Sequence, residues 1–139
     1  MDVRTNSSAV VSERISGEFH ERTRASWNPN EPERRGTFDG GGVSAEVIDP
    51  RTLKPLDLDT IVESVKRTNR LVVVHEGWKF GGFGGEIASS VTEAAFDWLD
   101  APVARVGALN VPMPFNDRLE RAVIPSAERI VAAVKGLFG

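Results

Sequence analysis

The stretch RLVVVHEGWKFGGFGGEIASSVTEAAFDWL, Arg70 to Leu99, carries strand, turn and helix signals in immediate succession. Leu71-Val72-Val73-Val74 is a continuous apolar run of the kind buried on both faces of a parallel sheet. The glycines of Gly81-Gly82-Phe83-Gly84-Gly85 let the backbone turn sharply at little steric cost. From Glu86 onward, Ile87, Val91, Ala94, Ala95 and Trp98 fall on one helical face. In such a β-turn-α unit the loop at the carboxyl end of the strand is where ligands and partners dock. His75 and Glu76 sit at that edge.

The flanks repeat the pattern. Upstream, Val43, Ala45 and Val47 alternate with Ser44 and Glu46, and Ile48 closes a strand. A loop from Asp49 to Asp57, fixed by Pro50 and Pro55, leads to a helix that Asp57 or Asp59 caps. Leu58, Ile61, Val62 and Val65 form its apolar face, and it ends near Thr68-Asn69. Downstream, Asp100-Ala101-Pro102 stops the second helix and Val103 to Gly107 reads as a strand. Val111-Pro112-Met113-Pro114-Phe115 is extended, because each proline restricts the residue before it. Asp117 is expected to cap a short helix through Val123. Pro125 breaks that helix and seeds a last one, with Ile130, Val131, Val134 and Leu137 as its buried stripe. The order β-α-β-α-β-α predicts an α/β fold of three layers, with helices on both faces of an open, mostly parallel sheet of three strands.

From Gly42 to Gly139 the chain resembles the C-terminal domain of the beta subunit of thiamine-diphosphate-dependent 2-oxo acid dehydrogenases, the E1 component of pyruvate type, which has the transketolase C-terminal fold. The words that carry the resemblance are VSAEVIDPRTLKPLDLDTIVESVKRTNRLVVVHEGW, GGFGGEIASSVTEAAFDWLDAPVARVGALNVPMPF and LERAVIPSAERIVAAVKGL. Residues 1–41 do not share it. The family's beta subunit begins with a cofactor-binding domain, and its C-terminal domain opens with a strand and a helix before the segment matching Val43. Neither is visible in this sequence. The resemblance therefore implies a domain truncated at its N-terminal edge, with an exposed sheet edge for an arm, a second chain or a domain swap to cover.

Met1 to Gly41 is polar, with scattered charge. Ala9-Val10-Val11, Ile15 and Phe19 could form one short amphipathic helix. The segment from Arg24 to Gly36 is rich in turn formers and reads as disordered or draped over a partner, with Trp27 as an anchor. The expected division is an arm over 1–41 and a domain over 42–139, with Gly40-Gly41-Gly42 as the hinge.

Composition narrows the functional classes. A chain of 139 residues supports one modest domain. Its net charge of −3 argues against non-specific nucleic-acid binding. The absence of cysteine excludes disulfides, thiolate metal sites and a cysteine nucleophile, and fits a cytoplasmic location. No apolar run approaches the roughly 18 residues needed to span a membrane, and the N-terminus lacks the apolar core of a signal peptide.

The glycine cluster lacks the third glycine of a dinucleotide fingerprint, because Ile87 stands there, and no Lys-Ser/Thr pair of a P-loop follows. We read these glycines as shaping the loop and admitting the helix, with anion binding at the helix start as the alternative. His75 has only His20 for company, too few for a histidine metal site. It reads as a histidine satisfied near the sheet edge or an interface, the functional alternative being a proton carrier. Trp78, Phe80, Phe83 and Phe96 read as core or interface residues. No Ser-His-Asp set, carboxylate pair or metal cluster emerges, so no catalytic, cofactor-binding or metal residue is assigned.

The resemblance adds roles. It sets His75 and Glu76 toward a neighbouring domain. The Asp49, Arg51 and Thr52 loop, with Pro50 in place of the usual Leu, takes a structural role near a subunit interface. Asp100 resembles an acid that such domains present to the basic peripheral subunit-binding domain of a lipoyl acyltransferase, with Phe138 near the same surface. Ala104 stands where some members carry a second acid. The implied function is dimerisation and docking, with E1 alpha and beta subunits or a second copy as partners, rather than catalysis by the isolated chain. Thiamine diphosphate would belong to the parent complex. The alternatives are a stand-alone binding or regulatory module on the same fold, or a non-functional gene fragment.

Overall fold

The computed structural model describes residues 7–12, 34–39, 43–50 and 52–139, the first two stretches and Ser44 as main chain. In chain order the elements are β1 (Ser7–Ser12), β2 (Arg34–Asp39), β3 (Ser44–Asp49), α1 (Leu58–Thr68), β4 (Leu71–Trp78), α2 (Phe83–Ala95), a 3-10 turn (Phe96–Trp98), β5 (Ala104–Ala108), α3 (Asp117–Val123) and α4 (Ala127–Gly136). The strands form one sheet in the order β2-β3-β1-β4-β5. The β3-β1, β1-β4 and β4-β5 pairs are parallel, and β2 runs antiparallel along β3 at the edge.

The apolar runs explain the layers. Successive side chains of a strand point to opposite faces. Leu71 and Val73 of β4 accordingly join Ile48, Ile61, Val65, Ile87, Val91 and Ala95 under α1 and α2. Val72 and Val74 join Ala45, Val47, Val106, Ala127, Ile130 and Val134 under α4. Both faces are covered, as the continuous valine run requires. Complete burial of each Val, Ile or Leu stabilises the fold by about 1.5–3 kcal/mol.

Local chemistry sets the helix ends. Asp57 caps α1, its Oδ1 accepting from the Thr60 amide at 3.2 Å and its Oδ2 from the Thr60 hydroxyl at 2.8 Å. Asn69 ends the helix in the left-handed region at φ 59°, where its amide donates to the Val65 carbonyl. Asn116 caps α3 through Oδ1, so Asp117 is the first helical residue rather than the cap. Ser126 caps α4, and Pro125 lies one residue outside the helix instead of in its first turn. Helix α2 begins at Phe83, three residues before the start expected from Glu86. Ala94 of its expected apolar face is exposed, and Trp98 lies in the 3-10 turn, 47% exposed.

The main departure from the sequence expectation is the strand count. The sheet has five strands rather than three. Ala9-Val10-Val11 belong to β1, not to a helix, while Ile15, Phe19 and Trp27 lie outside the described residues. Strand β1 fills a central position between β3 and β4, with Ala9 opposite both Glu46 and Leu71. The sequence misled because six residues with only three apolar members carry too short a periodicity to separate strand from helix.

One polar link ties β3 to α1. Ser64, fully buried, donates to Glu46 Oε2 at 2.8 Å, and Arg67 donates to Glu46 Oε1 at 2.8 Å. Glu46, expected on a polar strand face, lies half-buried beneath the helix as a result.

Candidate functional site

The residues singled out by sequence fall at opposite ends of β4. His75 and Glu76 lie toward its carboxyl end; Asp100 and Phe138 meet around Arg70, just before its start. At about 3.3 Å per residue, the two groups form separate sites.

At the amino end, Arg70 is the hub. Its Nη1 lies 3.6 Å from Asp100 Oδ2, its Nε donates to the Leu137 carbonyl at 3.0 Å, and its guanidinium stacks over the Phe138 ring at 4.4 Å. The loop around Asp100 is pinned by its own amide, which donates to the Asn69 carbonyl at 2.9 Å, and by Asn69 Nδ2, which donates to the Trp98 carbonyl at 2.8 Å. The Asp100 side chain remains about half exposed, at 48%. It borders an open groove of about 750 Å³ between α2 and the edge strand β5, lined also by Thr92, Phe96, Leu99, Pro102 and Arg105. Sequence reasoning found Asp100 and Phe138 but missed Arg70, which joins them. Its only signal was a cation just before a buried strand.

At the carboxyl end, His75 is 3% exposed. Its ring is enclosed by glycines. A Cβ at Gly84 would sit 2.5 Å from His75 Cδ2 and 2.7 Å from Nε2. A Cβ at Gly82 would collide with the Trp78 carbonyl and His75 Cε1, and one at Gly77 would lie 3.2 Å from Nδ1. These close approaches account for Gly82 and Gly84. The helix comes down on the imidazole, and any side chain there would hold it off. The sequence carried the signal as spacing, with glycines two, seven and nine residues after His75. Glu76 is half-buried beside it.

Beyond His75 the strand emerges into an apolar ridge. Trp78 is 51% exposed, and its indole donates to the Val111 carbonyl at 3.0 Å. Val111, Met113 and Phe115 continue the ridge, with Phe115 fully exposed. The prolines between them hold the segment extended and deny it a helix in which to bury these side chains. Asp49 and Thr52 flank Arg51, which lies outside the described residues.

Among the described residues no group of His, Asp and Glu could hold a metal ion. No helix among them is long and apolar enough to cross a membrane.

Comparison with known proteins gives a consistent picture. The family model described as "Transketolase, C-terminal domain" matches residues 37–130. The chain is 56% identical to the pyruvate dehydrogenase E1 component subunit beta of Rickettsia felis over 93 residues, covering 67% of this chain and 28% of that subunit. It is 50% identical over 94 residues to the mitochondrial pyruvate dehydrogenase E1 component subunit beta of Dictyostelium discoideum, covering 68% of this chain and 26% of that subunit. The chain thus spans less than a third of the length of these relatives. A solved structure described as "Split gene transketolase, inactive beta4 tetramer" superposes with a TM-score of 0.62 at 26% identity, covering 96% of this chain and 38% of that one.

Proposed function

The chain belongs to the transketolase C-terminal domain family, and from that premise we propose that it is an assembly and docking domain of a thiamine-diphosphate-dependent pyruvate (2-oxo acid) dehydrogenase. It works by binding other subunits and not by carrying out chemistry alone. The observation that carries this reading is the ridge of Trp78, Val111, Met113 and Phe115. Exposed large apolar side chains gathered on one short segment, with Trp78 tied to it through the Val111 carbonyl, mark a place where another protein sits. Its occupant is a second copy of the chain or an E1 subunit. The corner of Arg70, Asp100 and Phe138 is a separate, charged surface suited to the basic peripheral subunit-binding domain of a lipoyl acyltransferase.

Thiamine diphosphate is assigned to the parent complex. The described residues offer no His, Asp and Glu cluster for the divalent ion that would seat its diphosphate.

Sedimentation of the pure chain, alone and after Phe115→Glu, tests the assembly role. Oligomers that dissociate in the variant, with an unchanged circular dichroism spectrum, support it. A stable monomer with no affinity for any E1 subunit contradicts it. For the docking surface, nitrogen-proton spectra with a peripheral subunit-binding domain should shift resonances at Asp100 and Phe138.

A second reading, a stand-alone binding or regulatory module, is favoured by one specific observation. Strand β1 lies outside the family-matched residues and yet occupies the middle of the sheet. The chain can thus complete its own sheet without borrowing a strand.

A further inference from the structure

A third surface lies beside the ridge, and its charge is out of keeping with the rest of the molecule. In a chain of net charge −3, one cleft of about 390 Å³ is lined by Lys79, Arg105 and Arg129 with no carboxylate among its lining residues. Phe80, Leu109, Gly107, Ala108 and Asn110 complete it. No carboxylate among the described residues forms an ion pair with any of the three cations. The cleft lies past the carboxyl ends of β4 and β5, where open parallel sheets bind ligands.

The two guanidiniums are held in place by the backbone. Arg105 Nη1 donates to the Lys79 carbonyl at 3.2 Å. Arg129 Nη2 donates to the Gly107 carbonyl at 2.8 Å, and its Nη1 to the Ile124 carbonyl at 3.3 Å. Each guanidinium has five N–H donors, so both keep donors beyond these bonds. Gly107 makes the arrangement possible. A Cβ there would lie 2.8 Å from the Lys79 amide nitrogen and 2.9 Å from its Cα, pushing the lysine away from the arginines.

We propose that this cleft binds a small phosphate monoester with an apolar or aromatic body. Charge selects the phosphate. A monoester carries about −1.5 to −2 at neutral pH and three acceptor oxygens, so it neutralises more of the three cations than a single carboxylate, which leaves two uncompensated. Fixed guanidinium forks match its oxygens with strong, charge-assisted bonds. The body of the ligand is selected by Phe80, which is 81% exposed at the cleft and offers a ring to stack against. The volume falls within the range of about 300–1,000 Å³ typical of small-molecule sites. This site is independent of the assembly role.

The test is a titration of the labelled full chain, followed by nitrogen-proton spectra at fixed ionic strength, with phenyl phosphate, inorganic phosphate and benzoate as probes. Saturable shifts at Lys79, Gly107 and Asn110 are expected, tightest for phenyl phosphate, weaker for phosphate and weakest for benzoate. Lys79→Gln removes an exposed cation without touching the core, and should weaken phenyl phosphate about tenfold while leaving the resonances of Ile61 and Val91 in place. Shifts that grow linearly without saturating, benzoate binding as tight as phenyl phosphate, or a Lys79→Gln variant that binds unchanged would each overturn the proposal.

Discussion

Replacing Gly84 with alanine pits two known effects against each other. Helix propensity favours alanine by at most about 1 kcal/mol, and Gly84 lies in the first turn of α2. Sterics oppose it. The new methyl would sit 2.5 Å from His75 Cδ2 and 2.7 Å from Nε2, against an ordinary contact of 3.4–4 Å. The overlap approaches an ångström. The ring has no ready retreat, because His75 is only 3% exposed. Overpacking of this kind costs about 1–3 kcal/mol. The steric cost wins, and Gly84→Ala should destabilise the domain by about 1 kcal/mol net. The same substitution in a His75→Ala background meets only Val73 Cγ1, at an ordinary contact of 3.4 Å, so propensity dominates and its effect should change sign. The coupling between the two sites is then about 2 kcal/mol. Urea unfolding of the four proteins of this cycle measures it directly. If Gly84→Ala stabilises the parent, or acts equally in both backgrounds, the imidazole does not explain the glycine.

Other substitutions separate the remaining contacts. Arg70→Ala removes the hydrogen bond to Leu137, the ring contact with Phe138 and the weak ion pair, and should cost about 1–2 kcal/mol in thermal melts. Asp100→Asn, which removes only a 3.6 Å half-exposed pair, should cost less than about 0.5 kcal/mol; equal losses would show that Arg70 is not the hub. Val10→Pro removes a backbone donor from a central strand and leaves its acceptor unmatched, an effect of about 1–3 kcal/mol, and an unchanged unfolding midpoint would mean β1 is not paired as described. Glu63 accepts a 2.9 Å hydrogen bond from Lys66, and that bond, with the lysine's charge, holds its carboxyl below the usual range. A lowered pKa means that the pair's small contribution is present above the unfolded pKa and fades as pH falls through the folded one. A carboxyl NMR titration of Glu63 should show the depression, and Lys66→Met should remove most of it, leaving the smaller pull of Arg67.

The core from Val43 onward was legible because its signals are local. The valine run in β4, the Asp57 cap and the α1 stripe each announce themselves within a few residues. The helices on both faces of the sheet followed from the β-α order of the elements. Strand β1 was not legible, because what places Ser7 to Ser12 is pairing with main chain far along the sequence. The site divided in the same way. Asp100 and Phe138 were found, but their meeting at Arg70 depends on the chain returning from α4 to the start of β4. The cleft of Lys79, Arg105 and Arg129 was invisible for the same reason: its cations come from three separate elements.

A ribosome would make the central strand early and complete its pairing late. Ser7 pairs with Ser44, and Ala9 pairs with Leu71, so β1 must wait for roughly sixty further residues before both its edges are satisfied. At about 5–20 residues per second, that is a delay of seconds with two unpaired edges open to any neighbouring chain. The polar composition of SSAVVS, half serine, keeps that waiting strand from being a strong template for aggregation. Vectorial synthesis thus puts a constraint on this segment that the finished sheet no longer displays.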